Sequence, residues 1–379
     1  MNASSNEILL GRHNVAIVGA GPAGLGAAAV LRDLGIDCVV LERETIGASF
    51  LRWPPGMRFI TPSFNSNQFG SLDLNAIAAR TSPAYTLGVE HPTGAEYAEY
   101  LRLVAKHLEL PVRTGVAVRG LRRKGLGDGF EVECEGGRYD ARFVVWAAGE
   151  FHYPRVNGFP GAELCLHNSR IASWTDLEGS ERIVIGGSES GIDTACALAG
   201  AGRRAVVLDP AEPWMARGPD PSVLLSPFTH SRLTAAVERG LVDLRGKQRV
   251  ARVVRNGVGF RVETAAGESF ATAQRPILAT GFEGSVSLVA RLFEWRDDGF
   301  PKLTAGDEST RTRGLFLVGP QVRQRNVIFC FVYKFRQRFA VVADKIARRM
   351  KRSVKPLEEY RRQGLFLDDL SCCGDDCAC

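Results

Sequence analysis

Val15-Ala16-Ile17-Val18-Gly19-Ala20-Gly21-Pro22-Ala23-Gly24-Leu25 is the stretch whose reading decides the fold of this chain. An apolar, β-branched run ends in G-x-G-x-x-G. An Ala-rich helical pattern follows to about Leu34, where Gly35 can stop it. A second apolar run, Cys38-Val39-Val40-Leu41, closes on Glu42, 23 residues after Gly19. Strand, glycine turn, helix, strand and acid in that order make a βαβ unit with a dinucleotide fingerprint. Gly19 allows the tight turn, Gly21 lets backbone approach a pyrophosphate, and Gly24 lets the helix pack close to the strand. Pro22 and Ala23 open the helix, whose free N–H groups and positive dipole end suit phosphates. Glu42, with Arg43 beside it, is placed to accept hydrogen bonds from a ribose.

The pattern occurs twice. Arg182-Ile183-Val184-Ile185 leads into Gly186-Gly187-Ser188-Glu189-Ser190-Gly191, a helix to about Ala199, and the strand Ala205–Leu208 ending in Asp209. Gly186 and Asp209 are again 23 residues apart. Ser188 replaces the middle glycine, so the N–H survives but the phosphates approach less tightly. Asp209 would accept from a ribose 2′-OH and repel a 2′-phosphate, which favours NADH. Arg203 and Arg204 precede that strand and could reverse the preference, so the choice between NADH and NADPH stays open. Two further strands, Phe143–Gly149 and Pro276–Phe282, end in small residues, as a strand must where backbone packs on a dinucleotide. Ala148, Gly149, Thr280 and Gly281 are therefore candidate contacts. Each is preceded by short hairpin strands: Pro111–Arg119, Phe130–Cys134 and Arg138–Asp140 before the first, Val250–Val254 and Gly259–Glu263 before the second. A third apolar strand, Gly314–Pro320, returns the chain to the first fold.

The expected fold class is therefore α/β, with two Rossmann-like domains, the second inserted in the first, each carrying a small β-meander. The boundaries read as 1–155 and 281–352 for the first domain, 156–280 for the second, and 353–379 for a Cys-rich tail. At 379 residues, 45% hydrophobic and 24% charged, the chain has the composition of a globular protein large enough for two domains. Its net charge of +6 is mild. No apolar run reaches transmembrane length and no signal peptide is readable, so the expectation is a cytoplasmic protein with no membrane partner. Cys38, Cys134, Cys165, Cys196 and Cys330 are scattered singly, the pattern of buried thiols in a reducing compartment. The loop Arg43–Gly70 is long and aromatic. Arg52 and Trp53 either border a flat cofactor ring or cover a core edge. The Pro-broken stretch Asp220–Thr229 is either an ordinary connection or a loop reaching to the cleft. A long helix is expected from about Phe329 to Met350, with Arg336, Arg338, Lys345, Arg348, Arg349 and Lys351 on or beyond a solvated polar face. Without interleaved exposed aromatics, these charges predict no nucleic-acid partner.

The ordered set GAGPAG, WAAGE, GGSESG, LATGF and FLVGPQ resembles the two-dinucleotide-binding-domain flavoproteins, from Asn14 to about Met350. That group includes thioredoxin-reductase-like enzymes, bacillithiol-disulfide reductases and flavin-containing monooxygenases. The resemblance implies FAD at the first fingerprint and NAD(P)H at the second. It places the strand ending at Gly319 beside the flavin ribityl chain. The family usually has Asp after that glycine, but this chain has Pro320, so a flavin contact is missing or comes from another residue such as Gln321. Thioredoxin reductases carry a CxxC after the second fingerprint, but here only Cys196 follows Gly191. Glutathione- and mercuric-type reductases carry a CxxxxC soon after the first acid, but Arg43–Gly70 has no cysteine. The monooxygenase pattern FxGxxxHxxxW is matched loosely by Gly161–His167 and Trp174, so His167 reads as a hinge histidine rather than a catalytic one. Asn326–Ala340 resembles the bacillithiol-disulfide-reductase side most closely.

The last residues, Ser371-Cys372-Cys373-Gly374-Asp375-Asp376-Cys377-Ala378-Cys379, cannot build a core. Soft thiolates this close chelate thiophilic ions or form an exchangeable disulfide. Leu370–Cys373 resembles the mercuric-reductase C-terminus, which implies redox or metal-carrying roles for Cys372, Cys373, Cys377 and Cys379. The expected function is an FAD-dependent NAD(P)H oxidoreductase whose acceptor is a small molecule, a disulfide or a thiol-bound metal. A homodimer is the expected assembly. The alternatives are a monooxygenase acting on a sulfur or arsenic nucleophile and a flavin redox sensor.

Overall fold

The computed structural model describes residues 8–371 apart from 55, 65–71, 126–128, 219 and 221. Cys372, Cys373, Cys377 and Cys379 therefore lie outside the described residues. The chain forms two compact units. Among the described residues, one takes 8–51, Pro62–His152 and 284–371; the other takes Arg52–Thr61 and Tyr153–Glu283.

In the first unit, β1 (Leu9–Val18) turns into α1 (Pro22–Asp33) and then β2 (Cys38–Leu41). Two short helices follow, α2 (Ala48–Leu51) and α3 (Pro83–Leu87), and then α4 (Gly94–His107). A capping box starts α4: the Glu96 N–H donates to Thr93 Oγ1, and the Thr93 N–H donates to Glu96 Oε2. The chain continues through β3 (Val112–Arg113), β4 (Val118–Arg123), β5 (Phe130–Cys134) and β6 (Gly137–Trp146). The sheet order is β3-β2-β1-β6-β5-β4. Val15–Val18 are buried, as befits a central parallel strand covered on both faces.

The second unit repeats the plan. It runs β7 (Leu166–His167), β8 (Glu181–Ile185), α5 (Glu189–Gly200), β9 (Arg204–Leu208), α6 (Pro227–Glu238) and β10 (Val242–Arg245). The meander is β11 (Val250–Asn256), β12 (Gly259–Thr264) and β13 (Ser269–Thr272), followed by β14 (Ile277–Leu278). The parallel sheet is ordered β10-β9-β8-β14-β7. Alternation along its strands makes two cores. Val184, Ala205 and Val207 pack with Ile192, Ala195 and Leu198 of α5, whereas Ile183, Ile185, Val206 and Leu208 pack with Val253, Phe260 and Val262 of the meander. The Pro-broken stretch before α6 ends at Ser226, whose hydroxyl caps the helix by accepting from the Thr229 N–H.

Back in the first unit, β15 (Glu294–Trp295) pairs with β16 (Pro301–Lys302), and β17 (Leu315–Leu317) joins the main sheet beside β6. The hairpin β18 (Arg323–Gln324) and β19 (Val327–Ile328) leads to α7 (Val332–Phe335), α8 (Phe339–Arg349) and α9 (Leu357–Arg362). Phe339 lies against Gly26 of α1, where any side chain at position 26 would collide with its ring. Among the described residues, no helix is long and apolar enough to cross a membrane.

Three expectations need correction. The predicted strands Arg138–Asp140 and Phe143–Gly149 are one strand, β6, ending at Trp146. Its first half pairs antiparallel with β5 and its second half parallel with β17, so one strand serves meander and core. The expected helix from Phe329 to Met350 starts at Val332 and is interrupted by a 3-10 turn at Arg336–Arg338. Arg336 and Arg338 are not on a solvated face. Arg338 is fully buried, its Nε 2.8 Å from Asp307 Oδ2, and Arg336 donates to the Asp73 and Ala76 carbonyls. Finally, the chain from Ser353 to Leu370 is part of the first unit rather than tail. Leu357, Tyr360, Leu365 and Leu370 are buried, and Tyr360 donates to Asp33 at 2.6 Å.

Candidate functional site

Gly19 sits at φ +106°, and a Cβ there would meet the Ala147 carbonyl oxygen at 2.6 Å. A Cβ on Gly24 would collide with the Gly19 carbonyl. The fold itself demands these two glycines. Gly21 differs: a Cβ there would meet nothing within 4 Å. That space leaves room for a ligand to approach the backbone. Gly21 is also the N-cap of α1, with no side chain capping the first turn and Pro22 at its start. First-turn N–H groups left without a side-chain cap could hold a pyrophosphate. Glu42 accepts from the Ala20 N–H through Oε2 and from the Glu44 N–H through Oε1, both at 2.8 Å. Each oxygen keeps a lone pair for a ribose hydroxyl. Arg43 pairs with Glu44 at 3.0 Å.

The chain follows Trp146 out of the sheet through Ala147, Ala148 and Gly149. Gly149 has φ +66° and open space where a Cβ would stand. Gly319, at φ +106°, would put its Cβ 3.2 Å from Ala23 Cβ, so the strand ending there lies against the start of α1. Gln321 is buried with its amide against Gly284. Two residues here were missed from the sequence. Glu150 follows Gly149, and burial holds its carboxyl above the usual range while Arg323 works against that rise. Arg323 donates to the Pro320 carbonyl at 2.7 Å and stacks 3.9 Å from the Phe300 ring, within electrostatic reach of Cys330 and Glu150. The sequence signal was the E ending WAAGE and the R two residues after Gln321; neither carries a pattern of its own.

The second turn is built alike. Gly186 has φ +107°, and a Cβ on it would strike the Ala279 carbonyl; one on Gly191 would strike the Gly186 carbonyl. Ser188 is the N-cap of α5 with no side-chain cap, so the first-turn N–H groups are again free of a cap. Asp209 repeats Glu42: Oδ2 accepts from the Gly187 N–H and Oδ1 from the Ala211 N–H, both at 2.7 Å. Trp214, which the sequence reading did not single out, covers Gly187 so closely that a Cβ would collide with its ring. Glu189 turns its carboxylate to the Ser226 N–H at the head of α6, and burial raises its pKa. Ser190 lends its carbonyl to the Thr194 hydroxyl at 2.7 Å.

Arg203 and Arg204 do not reach Asp209. Arg203 donates to the carbonyls of Thr175, Gly179 and Ala201, and Arg204 pairs with Glu181 and Asp243. Arg204 opens β9 and Arg203 precedes it, so the nearer of the two is five residues and about 16 Å from the acid. His167 is buried. Its Nε2 lies 3.1 Å from the Gly281 carbonyl, while Nδ1 accepts from the Ser169 N–H at 3.2 Å. That arrangement assigns the neutral Nε2–H tautomer, and burial lowers its pKa. The ring fixes Thr280–Gly281 and packs 5.3 Å from Phe282, which is a structural role. Arg52 and Trp53 fall in the stretch grouped with the second unit, where the Trp53 and Phe59 rings are 5.2 Å apart.

Burial pushes the Cys38 and Cys165 thiols up to about 12 and those of Cys134 and Cys196 up to about 11. These four are protonated spectators at neutral pH. Cys330 is half-buried. Among the described residues, no group of His, Cys, Asp and Glu could hold a metal ion.

The family model for pyridine nucleotide-disulphide oxidoreductases matches residues 16–319. Bacilliredoxin reductase Bdr of Bacillus subtilis is 24% identical over 337 residues, covering 88% of this chain and 97% of the relative. The bacillithiol disulfide reductase Bdr from Staphylococcus aureus superposes with a TM-score of 0.70 at 20% identity, over 90% of this chain and 99% of that one. A flavin-containing monooxygenase from Stenotrophomonas maltophilia gives a TM-score of 0.69 at 18% identity, over 90% and 100%. Those two structures share the fold. The two fingerprints, the nested units and the family match agree: this chain belongs to the pyridine nucleotide-disulphide oxidoreductase family and is an FAD-dependent oxidoreductase that uses NAD(P)H.

Proposed function

We propose that the chain reduces a disulfide, or a thiol-bound metal or metalloid, with NADH as the preferred donor. Bound FAD would supply the chemistry, accepting a hydride from the nicotinamide and delivering two electrons onward. Gly21, the uncapped start of α1 and Glu42 would hold it; Ser188, Ser190 and Asp209 would hold the nicotinamide nucleotide. Each turnover consumes one NADH and one proton and converts one disulfide to two thiols.

The observation that carries this reading is the state of the internal thiols. Cys38, Cys165 and Cys196 are buried and Cys134 half-buried, and burial raises all four thiols, so none of these four is a thiolate at neutral pH. Apart from the half-buried Cys330, that leaves an external disulfide or the tail cysteines Cys372, Cys373, Cys377 and Cys379, which we assign as the acceptor or metal-carrying group. The NADH preference rests on Asp209 and on the engagement of Arg203 and Arg204 elsewhere. The monooxygenase reading loses its histidine, because both ring nitrogens of His167 are occupied within the fold.

The test is anaerobic reduction by NADH and NADPH in parallel, followed by low-molecular-weight disulfides, thiophilic metal ions or oxygen. Disulfide or metal reduction, with slow oxygen consumption, supports the proposal. Oxygenation of a sulfur or arsenic compound coupled to NAD(P)H would replace it. Changing all four tail cysteines to Ser is expected to leave nucleotide oxidation by an artificial acceptor intact. If disulfide reduction is also unaltered, the tail has no part in it.

A further inference from the structure

Four arginines converge where the first unit's parallel sheet begins, not where it ends. Arg123 closes β4, Arg142 lies on β6, Arg313 stands just before β17, and Arg349 closes α8. With Phe143 and Gly314 they line one open concavity of about 150 Å³. Among the described residues, no carboxylate lines it.

The four guanidiniums are not equivalent. Arg349 is already committed, with a two-point pair to Glu308 and a position 5.8 Å from the Phe316 ring. Arg142 lies 5.4 Å from the Phe143 ring. The side chains of Arg123, Arg142 and Arg313 are exposed and form no hydrogen bond or ion pair with the described residues. Their neighbours on the same meander behave differently: Arg119 pairs with Glu135, Arg122 with Glu131, and Lys124 with Asp140. The described carboxylate nearest the hollow, Glu308, is taken up by Arg349 and by the Gly314 N–H at 2.6 Å, and it also acts on Arg313. Like charges gathered around one hollow repel. An anion would relieve that repulsion.

The place is distinct from the dinucleotide turn. From Arg142 to Trp146, where β6 ends, is four residues, or about 13 Å. The turn at Gly19–Gly24 lies beyond the ends of the parallel strands, whereas the concavity lies at the start of β17. Planar guanidinium forks fit the paired oxygens of a phosphate, and three of them around one hollow match a multiply charged group better than a single carboxylate.

We propose that this concavity is a second anion site, for a small multiply charged anion of the phosphate class such as a pyrophosphate or a phosphate ester. The experiment uses the FAD-loaded full chain with the nicotinamide site saturated by NAD⁺. Inorganic pyrophosphate and citrate are titrated separately by calorimetry. The expected result is one pyrophosphate per chain, bound more tightly than citrate and more weakly as salt is added. The double change Arg123→Ser/Arg313→Ser is expected to weaken pyrophosphate roughly tenfold or more. Flavin content and NADH oxidation should stay at wild-type levels, which also shows that the variant is folded. Arg142→Ser alone should weaken binding less. Pyrophosphate that binds the double variant as well as wild type, that is displaced by NAD⁺, that binds no better than citrate, or that does not bind at all overturns the proposal.

Discussion

The two fingerprint turns are the same device finished in two ways. In both, the acid at the end of the second strand accepts from the N–H of the residue after the first glycine: Ala20 to Glu42 and Gly187 to Asp209, each pair 22 residues apart. Both acids also take an N–H two residues ahead, from Glu44 and Ala211. In both, the first and last glycines are required by backbone that would otherwise collide. The difference lies in the middle. The first turn has Gly21 with open space over it, and Glu42 is half-buried. The second has Ser188 at that position, Trp214 pressed on Gly187, and Asp209 buried. In the proposed function the open turn would hold FAD and the covered one the nicotinamide nucleotide.

The largest effect expected is at the open turn. Gly21→Val should fold, because nothing in the protein meets the new side chain, yet it should lose bound FAD. Purified variant with an unchanged circular-dichroism spectrum and no flavin absorbance is the expected outcome; a yellow variant would break the contrast. Trp214→Ala removes a buried ring and should cost about 3–5 kcal/mol of second-unit stability. Denaturant titration checks it, and a loss under 1 kcal/mol would mean the cover is loose. Asp209→Asn removes one charge near the ribose. The NADH-over-NADPH preference, measured as a ratio of kcat/KM, should fall roughly tenfold, for about 1–2 kcal/mol of charge repulsion.

The smallest effect concerns pH. The folded His167 pKa lies below its ordinary 6.5, so the unfolded chain takes up the proton first. The stability of the second unit should therefore be complete above pH 6.5 and fall as pH drops through 6.5 toward the folded value. His167→Gln should flatten that dependence, and an equal slope in the variant would assign it to another group.

Much of this was legible in the sequence, because the signals are local. Two strand–glycine–helix starts with matching 23-residue spacing fix both nucleotide folds and their nesting. What was not legible depends on distant partners. Arg336 and Arg338 read as part of a polar helix face, but Asp307 takes Arg338 into the core and the Asp73 loop takes Arg336. β6 reads as two strands because its polar half and apolar half serve different neighbours. Ser353–Leu370 reads as tail because four scattered apolar residues show no period, yet each finds a buried place. Trp214, Glu150 and Arg323 carry no motif; only the fold shows what they touch. The Arg52–Trp53 contact to a cofactor ring stands as a proposal.

The most direct test of the central claim, that FAD sits at the open turn and a nicotinamide nucleotide at the covered one, is anaerobic mixing of the FAD-loaded protein with NADH while flavin absorbance is followed. The flavin band should bleach with one equivalent of NADH. Ser188→Trp, which fills the second turn, should stop the bleaching while leaving the flavin bound. A protein that stays colourless when supplied with FAD, or a bound flavin that neither NADH nor NADPH can bleach, would contradict it.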